Sequence, residues 1–174
     1  VNNELKNLYN QFFDAKIYGS ILRLEFIDVE IIEEAIKQLR TSRVEDIIAQ
    51  GYLNFEVPII EELVEQYRFL TMRYDIVVTN PPYMGSNGME AKLSKYVKKF
   101  YPNTKSDLFA VFMDVSSNIT KNYGYYAMIN QQSWMLLISY EKLREVILKD
   151  KTIINMVHTG ARTFPEIGGE VVQN

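Results

Sequence analysis

The sequence contains no cysteine and a single histidine, His158, among its 174 residues. The absence of cysteine excludes disulfide scaffolds, cysteine-ligated zinc, iron–sulfur clusters and a cysteine nucleophile. One histidine gives no basis for a histidine-rich metal site, so we expect no bound metal. No apolar run approaches the roughly 20 residues that a membrane helix needs, and the N-terminus lacks the basic and then apolar pattern of a signal peptide. We therefore expect a cytoplasmic protein that does not bind membranes.

An excess of one charge is also missing, because 19 Lys and Arg stand against 22 Asp and Glu and the net charge is −3. Binding to nucleic acid would therefore require a local basic patch. A hydrophobic share of 47%, with 13% aromatic residues, is enough for a buried core and argues against intrinsic disorder. The chain begins at Val1 and ends at Asn174 in a strand-like stretch, so we expect a fragment of a longer protein, truncated at both ends.

Residues 1–73 are predicted to be mainly helical. Apolar residues recur at helical spacing between residues 31 and 39, after a candidate N-cap at Asp28 and before a stop at Thr41. A second amphipathic helix is predicted to start at Pro58, a residue suited to a first helical turn. Alternating apolar residues between Gly19 and Asp28 predict one short strand in this segment.

Residues 74–174 alternate between predicted strands and predicted helices. The predicted strands are residues 74–79, 125–129 and 152–157, and the predicted helices begin at Ser106 or Asp107 and at Tyr140. Strands that alternate with helices form βαβ units and a parallel sheet with right-handed crossovers. The sequence therefore predicts an α/β fold, in which the mainly helical segment leads into an α/β domain.

The first of these strands runs into Asn80-Pro81-Pro82-Tyr83, where two prolines must stop it. In open α/β sheets, ligands bind beyond the carboxyl ends of the strands, which is where this tetrapeptide lies. The exocyclic amine of a purine is a weak nucleophile because its lone pair is delocalised into the ring. An Asn side-chain oxygen and a proline-stiffened backbone carbonyl can accept both of its hydrogens, and an adjacent aromatic ring can stack on the base. The tetrapeptide thus indicates a site that activates a planar nitrogen; the alternative is a diproline strand end beside a packing tyrosine.

Residues 74–83 resemble motif IV of adenine-specific N6 DNA methyltransferases, and later segments keep the motif order of the gamma class of that family. Residues 105–112, 124–134 and 163–165 with 170–172 resemble its motif V helix, its motif VI strand and loop, and its motif VIII. More narrowly, residues 80–85, 134–135 and 14–20 are similar to the PglX-type methyltransferases of BREX phage-defence systems, which are related to fused type II restriction–modification enzymes. The resemblance implies a partial Rossmann-like class I methyltransferase domain over residues 74–174, containing the C-terminal half of the sheet.

This resemblance implies catalytic roles for the residues of the tetrapeptide. Asn80 would accept one N6 hydrogen through its side chain, and the carbonyl of Pro81 would accept the other, while Pro82 stiffens the chain. Tyr83 would stack on one face of a flipped adenine and Phe164 on the other. An exposed loop aromatic is the alternative interpretation of Phe164.

The resemblance also implies S-adenosylmethionine as the methyl donor, with Phe112 against its adenine ring and Asn80 and Pro82 as further contacts. A core position on an amphipathic helix is the alternative for Phe112. The family binds this cofactor through a Gly-rich loop, yet none of the eight glycines forms a G-x-G turn between a strand and a helix. We expect that loop before Val1 and the target-recognition domain after Asn174. The chain alone should then neither bind the cofactor tightly nor methylate DNA.

Lys92, Lys95 and Lys99 share helical spacing in a locally basic stretch. This stretch is either a solvated helix face or a contact with DNA phosphates, for which Lys95 and Lys99 are the candidates. The resemblance implies double-stranded DNA as the partner, with other phage-defence proteins as further partners. A sheet without its first strands would have an apolar edge, which the N-terminal helices or a second copy would cover, the latter giving a homo-oligomer.

The leading hypothesis is a fragment of a DNA methyltransferase that transfers a methyl group from S-adenosylmethionine to N6 of a flipped adenine, in a phage-defence or restriction–modification system. Glutamine-N5 and guanine-N2 methyltransferases use the same tetrapeptide chemistry and remain alternatives. A third alternative is a catalytically silent DNA- or protein-binding module with a methyltransferase fold. Methylation of cytosine C5 is excluded, because it requires a thiolate and the chain has no cysteine.

Overall fold

A computed structural model describes residues 1–41 and 47–160. The chain divides into two compact units, Val1–Met72, here the helical unit, and Arg73–Asn174, here the sheet unit. The helical unit contains α1 (Asn2–Phe12), α2 (Ala15–Tyr18), α3 (Val29–Thr41) and α4 (Ile47–Thr71), with a 3₁₀ turn at Gly19–Ile21. The sheet unit contains β1 (Tyr74–Thr79), α5 (Ala91–Phe100), α6 (Leu108–Ile119), β2 (Thr120–Met128), α7 (Ser133–Leu136) and α8 (Glu141–Asp150), with a 3₁₀ turn at Ile138–Tyr140.

In the helical unit, α3 covers the region that its apolar spacing predicts and buries Val29, Ile32 and Ile36. The predicted start of the next helix at Pro58 is wrong, because α4 begins eleven residues earlier, at Ile47, and contains Pro58 in its interior. Proline fits the helical φ and removes one backbone donor. The buried stripe around it, which includes Val57 and Val64, outweighs that loss.

The strand predicted before Asp28 is also wrong, since residues 22–28 form no regular secondary structure. Side chains replace a neighbouring strand as partners of this backbone. The Glu25 N–H donates to the side-chain oxygen of Gln11 at 2.7 Å, and the buried Ile27 N–H donates to the hydroxyl of Tyr67 at 2.8 Å. The alternating apolar pattern reflects packing against helices and does not require a sheet.

In the sheet unit, β1 and β2 pair in parallel, with Ile76 opposite Tyr125 and Thr79 at the far end opposite Met128. The register shifts near the start of β1, where Tyr123 adopts a left-handed φ of 65°. At the neighbouring Gly124, an added Cβ would lie 2.7 Å from the carbonyl oxygen of Asp75. The irregular start of β2 therefore depends on a glycine at that position.

The two faces of this sheet differ. The face with Thr79 and Met128 is half-buried, and α6 contacts both strands. On the opposite face, the exposed fractions are 67% for Ile76, 74% for Val78 and 60% for Tyr125. The two parallel strands and their helices make the sheet unit a mixed α/β domain, as expected.

The third predicted strand, residues 152–157, is wrong. Residues 151–159 have exposed side chains and no regular secondary structure, with Val157 77% exposed. A β-branched run favours an extended backbone, but a strand also needs a neighbour to complete its ladder. None of the described residues supplies that neighbour. The sheet formed by the described residues therefore has two strands.

The helices described in the two units are all too short or too polar to cross a lipid bilayer.

Candidate active site

The site begins where β1 ends. The strand stops at Thr79, with Asn80 between it and the diproline, as the sequence predicts. The following Asn80 and Pro82 are exposed, Pro81 is buried and Tyr83 is half-buried. The asparagine amide is thus open to a ligand at the carboxyl edge of the sheet, and the tyrosine ring is not sealed in the interior.

Two contacts orient the ring of Tyr83. Its hydroxyl donates to the carbonyl oxygen of Ile129 at 2.9 Å, just beyond the end of β2. Its ring meets Phe109 edge to face, with centroids 6.3 Å apart and an interplanar angle of 86°. Aromatic pairs favour this arrangement. The ring is therefore held between the end of β2 and the first turn of α6.

Behind Tyr83 lies a buried cluster formed by α6 and α8 with the 3₁₀ turn between α7 and α8. Its members are Phe109, Ala110, Met113, Tyr140, Leu143 and Ile147, with Tyr83, Met128 and Trp134 packed partly buried against it. Burial, and then the charge of Asp107, raises the pKa of Tyr140 to about 12. This phenol stays neutral at physiological pH and acts as a packing group.

Asp107 links α6 to the segment after Tyr83. As the N-cap of α6, its Oδ1 accepts from the Phe109 N–H at 3.2 Å, in agreement with the prediction of a cap here. The same oxygen accepts from the Met84 N–H at 3.0 Å, a contact that the sequence did not predict. Burial raises the pKa of the Asp107 carboxyl, while hydrogen bonds from backbone N–H groups act in the opposite direction.

The loop after β2 also lies at the carboxyl edge of the sheet, beside the candidate site. Arg144 on α8 donates from Nη1 to the carbonyls of Trp134 and Leu137, each at 2.7 Å. These bonds use carbonyls at the end of the short helix α7, which needs such partners. Close to the end of β2, the Oδ1 atom of Asn130 is buried and has no hydrogen-bond partner among the described residues.

The remaining predicted residues lie on separate elements. Phe112 is half-buried on α6, and Lys95 and Lys99 are exposed on α5. The Nζ atom of Lys99 lies 4.7 Å from the ring centroid of Phe100. Phe164, with the motif VIII segment around it, lies outside the described residues. Among the predicted site residues that the structure describes, those of the tetrapeptide lie together because they are consecutive in the chain.

Asp75, at the opposite end of β1 from the site, forms an ion pair with Lys121 at 2.9 Å. Its carboxylate is on the surface, far along the strand from Asn80, so it is not a candidate catalytic base. The contacts that sequence reasoning missed are the hydroxyl bond of Tyr83 and the second bond of Asp107. Each joins residues more than 20 positions apart, and no local pattern reports such a pairing.

Comparison with known proteins identifies the family. Residues 6–164 match the family described as Eco57I restriction-modification methylase. The chain belongs to this family. The resemblance stated from its motifs is thereby confirmed.

Among the relatives of this Eco57I-family chain is the adenine-specific methyltransferase BrxX of Escherichia coli O9:H4 (strain HS), 44% identical over 162 residues that cover 93% of the chain. The adenine-specific methyltransferase PglX of Lacticaseibacillus casei (strain Zhang) is 39% identical over 181 aligned positions that cover 99% of the chain. The type II restriction enzyme and methyltransferase RM.Eco57I of Escherichia coli is 25% identical over 103 residues, or 56% of the chain. The chain spans 13%, 14% and 10% of the lengths of these three relatives.

Proposed function

We propose that this chain is the part of an adenine-specific DNA methyltransferase that binds the target amine, and that the enzyme acts in a phage-defence or restriction–modification system. The methyl group would pass from S-adenosylmethionine to N6 of an adenine flipped out of double-stranded DNA. The observation that carries the proposal is the exposed Asn80 at the carboxyl end of β1, three residues before a tyrosine ring held at both ends. The names of BrxX and PglX favour adenine over glutamine or guanine as the acceptor.

The chemistry follows from two acceptors. The side-chain oxygen of Asn80 would accept one N6 hydrogen and the carbonyl of Pro81 the other, so that the nitrogen lone pair is withdrawn from the ring and directed at the methyl group. Buried Pro81 restricts the backbone that carries this carbonyl. Acceptors that need no rearrangement stabilise charge as it develops on the nitrogen. The proton is lost only after the methyl transfer, so the site needs no strong base.

Tyr83 would stack on one face of the flipped adenine. Flipping costs a few kcal/mol of unstacking, and an aromatic contact returns about 1–3 kcal/mol per base. A ring already fixed by Ile129 and Phe109 loses little further freedom when the base arrives. Phe164 would cover the second face of the base.

Three of the described residues would contribute to a cofactor site. Half-buried Phe112 offers an aromatic surface for a purine, and exposed Asn80 and Pro82 lie at the carboxyl edge of the sheet. S-adenosylmethionine, when bound, supplies the electrophilic methyl group. Phe112 would contact its adenine ring, and Asn80 and Pro82 would border its reactive end. A Gly-rich loop for the rest of the cofactor is absent from the sequence. Other parts of the enzyme would therefore contribute the rest of that site, together with the sheet strands of a complete Rossmann-like domain.

DNA would also contact the basic face of α5. Lys95 and Lys99 are exposed there, one helical turn apart. Their ammonium groups would bind phosphates beside the extruded base, which positions the duplex without reading its sequence. BrxX and PglX are among the relatives, and the other proteins of a phage-defence system would be further partners.

The test replaces the asparagine in the full-length protein that contains this chain. Asn80→Ala should lower the rate of methyl transfer into duplex DNA by at least about 100-fold, because a preorganised hydrogen-bond partner of the reacting group is lost. The affinity for DNA should stay unchanged in a fluorescence anisotropy titration.

Asn87→Ala is the matched control, since Asn87 is an exposed asparagine in the turn after the tetrapeptide with no assigned role. Its methylation rate should equal that of the unmodified protein. Methylation retained by Asn80→Ala would refute the proposal.

A further inference from the structure

We infer that Asp107 is a positioning residue of the proposed site: its carboxylate fixes the backbone that follows Tyr83 and so holds the tyrosine ring in its stacking orientation. The inference rests on the proposed function and assigns a residue that the methyl-transfer chemistry itself does not identify. Asp107 touches neither the base nor the donor in this scheme. It acts through the backbone of Met84, the residue that follows Tyr83 in the chain.

One oxygen of Asp107 serves two different elements. Oδ1 accepts from the Phe109 N–H at 3.2 Å within α6 and from the Met84 N–H at 3.0 Å in the loop after β1. A helix cap requires the first bond alone. The second bond crosses to a segment 23 residues earlier in the sequence and does nothing for the helix.

Backbone pairing reinforces this link. The Leu108 N–H donates to the Met84 carbonyl at 3.0 Å, and the Ser86 N–H donates to the Ser106 carbonyl at 2.9 Å. Gly85 and Asp107 form an antiparallel bridge between these two bonds. The segment after Tyr83 is thus attached to the start of α6 by three hydrogen bonds, of which the one to the carboxylate lies nearest the tyrosine.

These contacts close a ring of interactions around Tyr83. Asp107 holds the backbone of Met84 and that of Phe109, and the side chain of Phe109 meets the ring of Tyr83 edge to face. The ring is therefore fixed relative to the same first turn of α6 from two directions. Burial of a carboxylate is costly, and burial here raises the pKa of Asp107. The hydrogen bonds that backbone N–H groups donate to it, among them those of Phe109 and Met84, offset part of that cost.

The test distinguishes the hydrogen bond from Met84 from the helix-capping bond from Phe109. It compares Asp107→Ser with Asp107→Ala in the full-length protein. Serine ranks beside aspartate as an N-cap, but its hydroxyl lies one bond closer to the backbone and cannot serve both Phe109 and Met84. Asp107→Ser should keep the melting temperature close to that of the unmodified protein, whereas Asp107→Ala should lower it. Both variants should lose about 10- to 100-fold in kcat, the order expected when a substrate-positioning group is displaced, with the KM for DNA changed less than threefold.

A spectroscopic measurement follows the ring directly. Duplex DNA with 2-aminopurine at the target adenine becomes fluorescent when that base is flipped and is quenched when it stacks on an aromatic ring. Both Asp107 variants should therefore give a brighter complex than the unmodified protein. The matched control is Asp114→Ser, on the same helix, where the carboxylate accepts from Asn118; it should change neither the fluorescence nor kcat.

Normal kcat and normal quenching in Asp107→Ser would overturn the inference, because the residue would then be a cap alone. Asn80→Ala is assayed beside these variants, so that failure of the proposed function is recognised separately. If Asn80→Ala methylates normally, the proposed function is wrong. If Asn80→Ala is inactive and Asp107→Ser is fully active, the inference alone is wrong.

Discussion

The two units of this chain reach stability by different routes. In the helical unit, four helices satisfy their backbone internally, and the residues between α2 and α3 bond to side chains such as Gln11 and Tyr67. In the sheet unit, β1 depends on a strand that begins more than 40 residues later. The proposed site lies in the sheet unit, where the backbone pairing itself joins distant segments. Its geometry is therefore set by how distant segments meet, and less by the local sequence.

The surfaces of the two units can be compared as well. The helical unit carries ion pairs between α3 and α4, namely Arg40 with Glu61 and Arg68 with Glu33. The sheet unit has such a pair between its strands, Asp75 with Lys121, and exposes apolar side chains on one face of these strands, among them Ile76 and Val78. An exposed apolar sheet face is typical of a surface that another part of a protein covers.

The largest effect on stability is expected at the irregular start of β2. Gly124→Ala would place a Cβ 2.7 Å from the Asp75 carbonyl oxygen and 2.8 Å from Cγ2 of Thr120, so the backbone of β1 or β2 must shift. The free energy of unfolding should fall by about 3 kcal/mol, the upper end for overpacking. Urea denaturation followed by the fluorescence of Trp134, the one tryptophan in the chain, reports on the sheet unit.

Gly51→Ala is the matched control in α4, where an added Cβ meets nothing within 4 Å. Alanine is favoured over glycine inside a helix by roughly 0.5–1 kcal/mol, so this variant should stabilise the helical unit and leave the tryptophan transition unchanged. Equal denaturation midpoints for Gly124→Ala and the unmodified chain would show that the pairing of β1 with β2 does not need the glycine.

A smaller loss of stability is expected when a single hydroxyl is removed from the helical unit. Tyr67→Phe leaves the buried Ile27 N–H without its acceptor at 2.8 Å and removes a donor from the Glu25 carbonyl. An unsatisfied buried donor costs about 1–3 kcal/mol, and we expect about 2 kcal/mol here. Amide hydrogen exchange should accelerate at residues 22–28 while the tryptophan transition of the sheet unit stays in place.

Tyr52→Phe serves as its control, because Tyr52 lies on the same helix and is 62% exposed. Its loss of a hydroxyl should leave exchange at residues 22–28 unaltered. If the Ile27 amide exchanges equally slowly in Tyr67→Phe, the segment is held by packing, and its bond to the tyrosine is dispensable.

The features that the sequence predicts correctly are local ones. The diproline ends β1 at Thr79, Asp107 caps α6, and apolar spacing places α3. Each depends on residues within a few positions of one another, where backbone sterics and helical periodicity decide the outcome. The tetrapeptide could be recognised as a candidate site for the same reason.

The features that the sequence does not reveal are those that depend on contacts between residues far apart in the chain. The interior position of Pro58 in α4 follows from the buried stripe along that helix, and residues 152–157 remain outside the sheet because no described strand pairs with them. The bond from Tyr83 to Ile129 spans 46 positions. Propensity and periodicity describe single segments, so neither the orientation of this tyrosine nor the second bond of Asp107 can be predicted from them.

The smallest effect on stability is expected at the ion pair of Arg68 with Glu33, between α4 and α3. Arg68 donates from Nε and Nη2 to the two carboxylate oxygens of Glu33, at 3.1 and 2.7 Å, and the hydrogen bond with Glu33 raises the pKa of the guanidinium. Both side chains are nearly half exposed, so water and salt screen the attraction. Glu33→Gln should lower the free energy of unfolding by less than about 1 kcal/mol.

A double-mutant cycle with Arg68→Met isolates the pair. The coupling energy of the pair should shrink between about 0.05 and about 0.5 M salt, because the Debye length, about 10 Å at 0.1 M, becomes shorter as salt is added. A coupling that is large and insensitive to salt would mean that the helical unit relies on this surface pair as well as on the buried bond between Ile27 and Tyr67. The contrast with the sheet unit would then be one of degree, and the ion pair would rank beside the Tyr67 hydroxyl among the contacts that stabilise the helical unit.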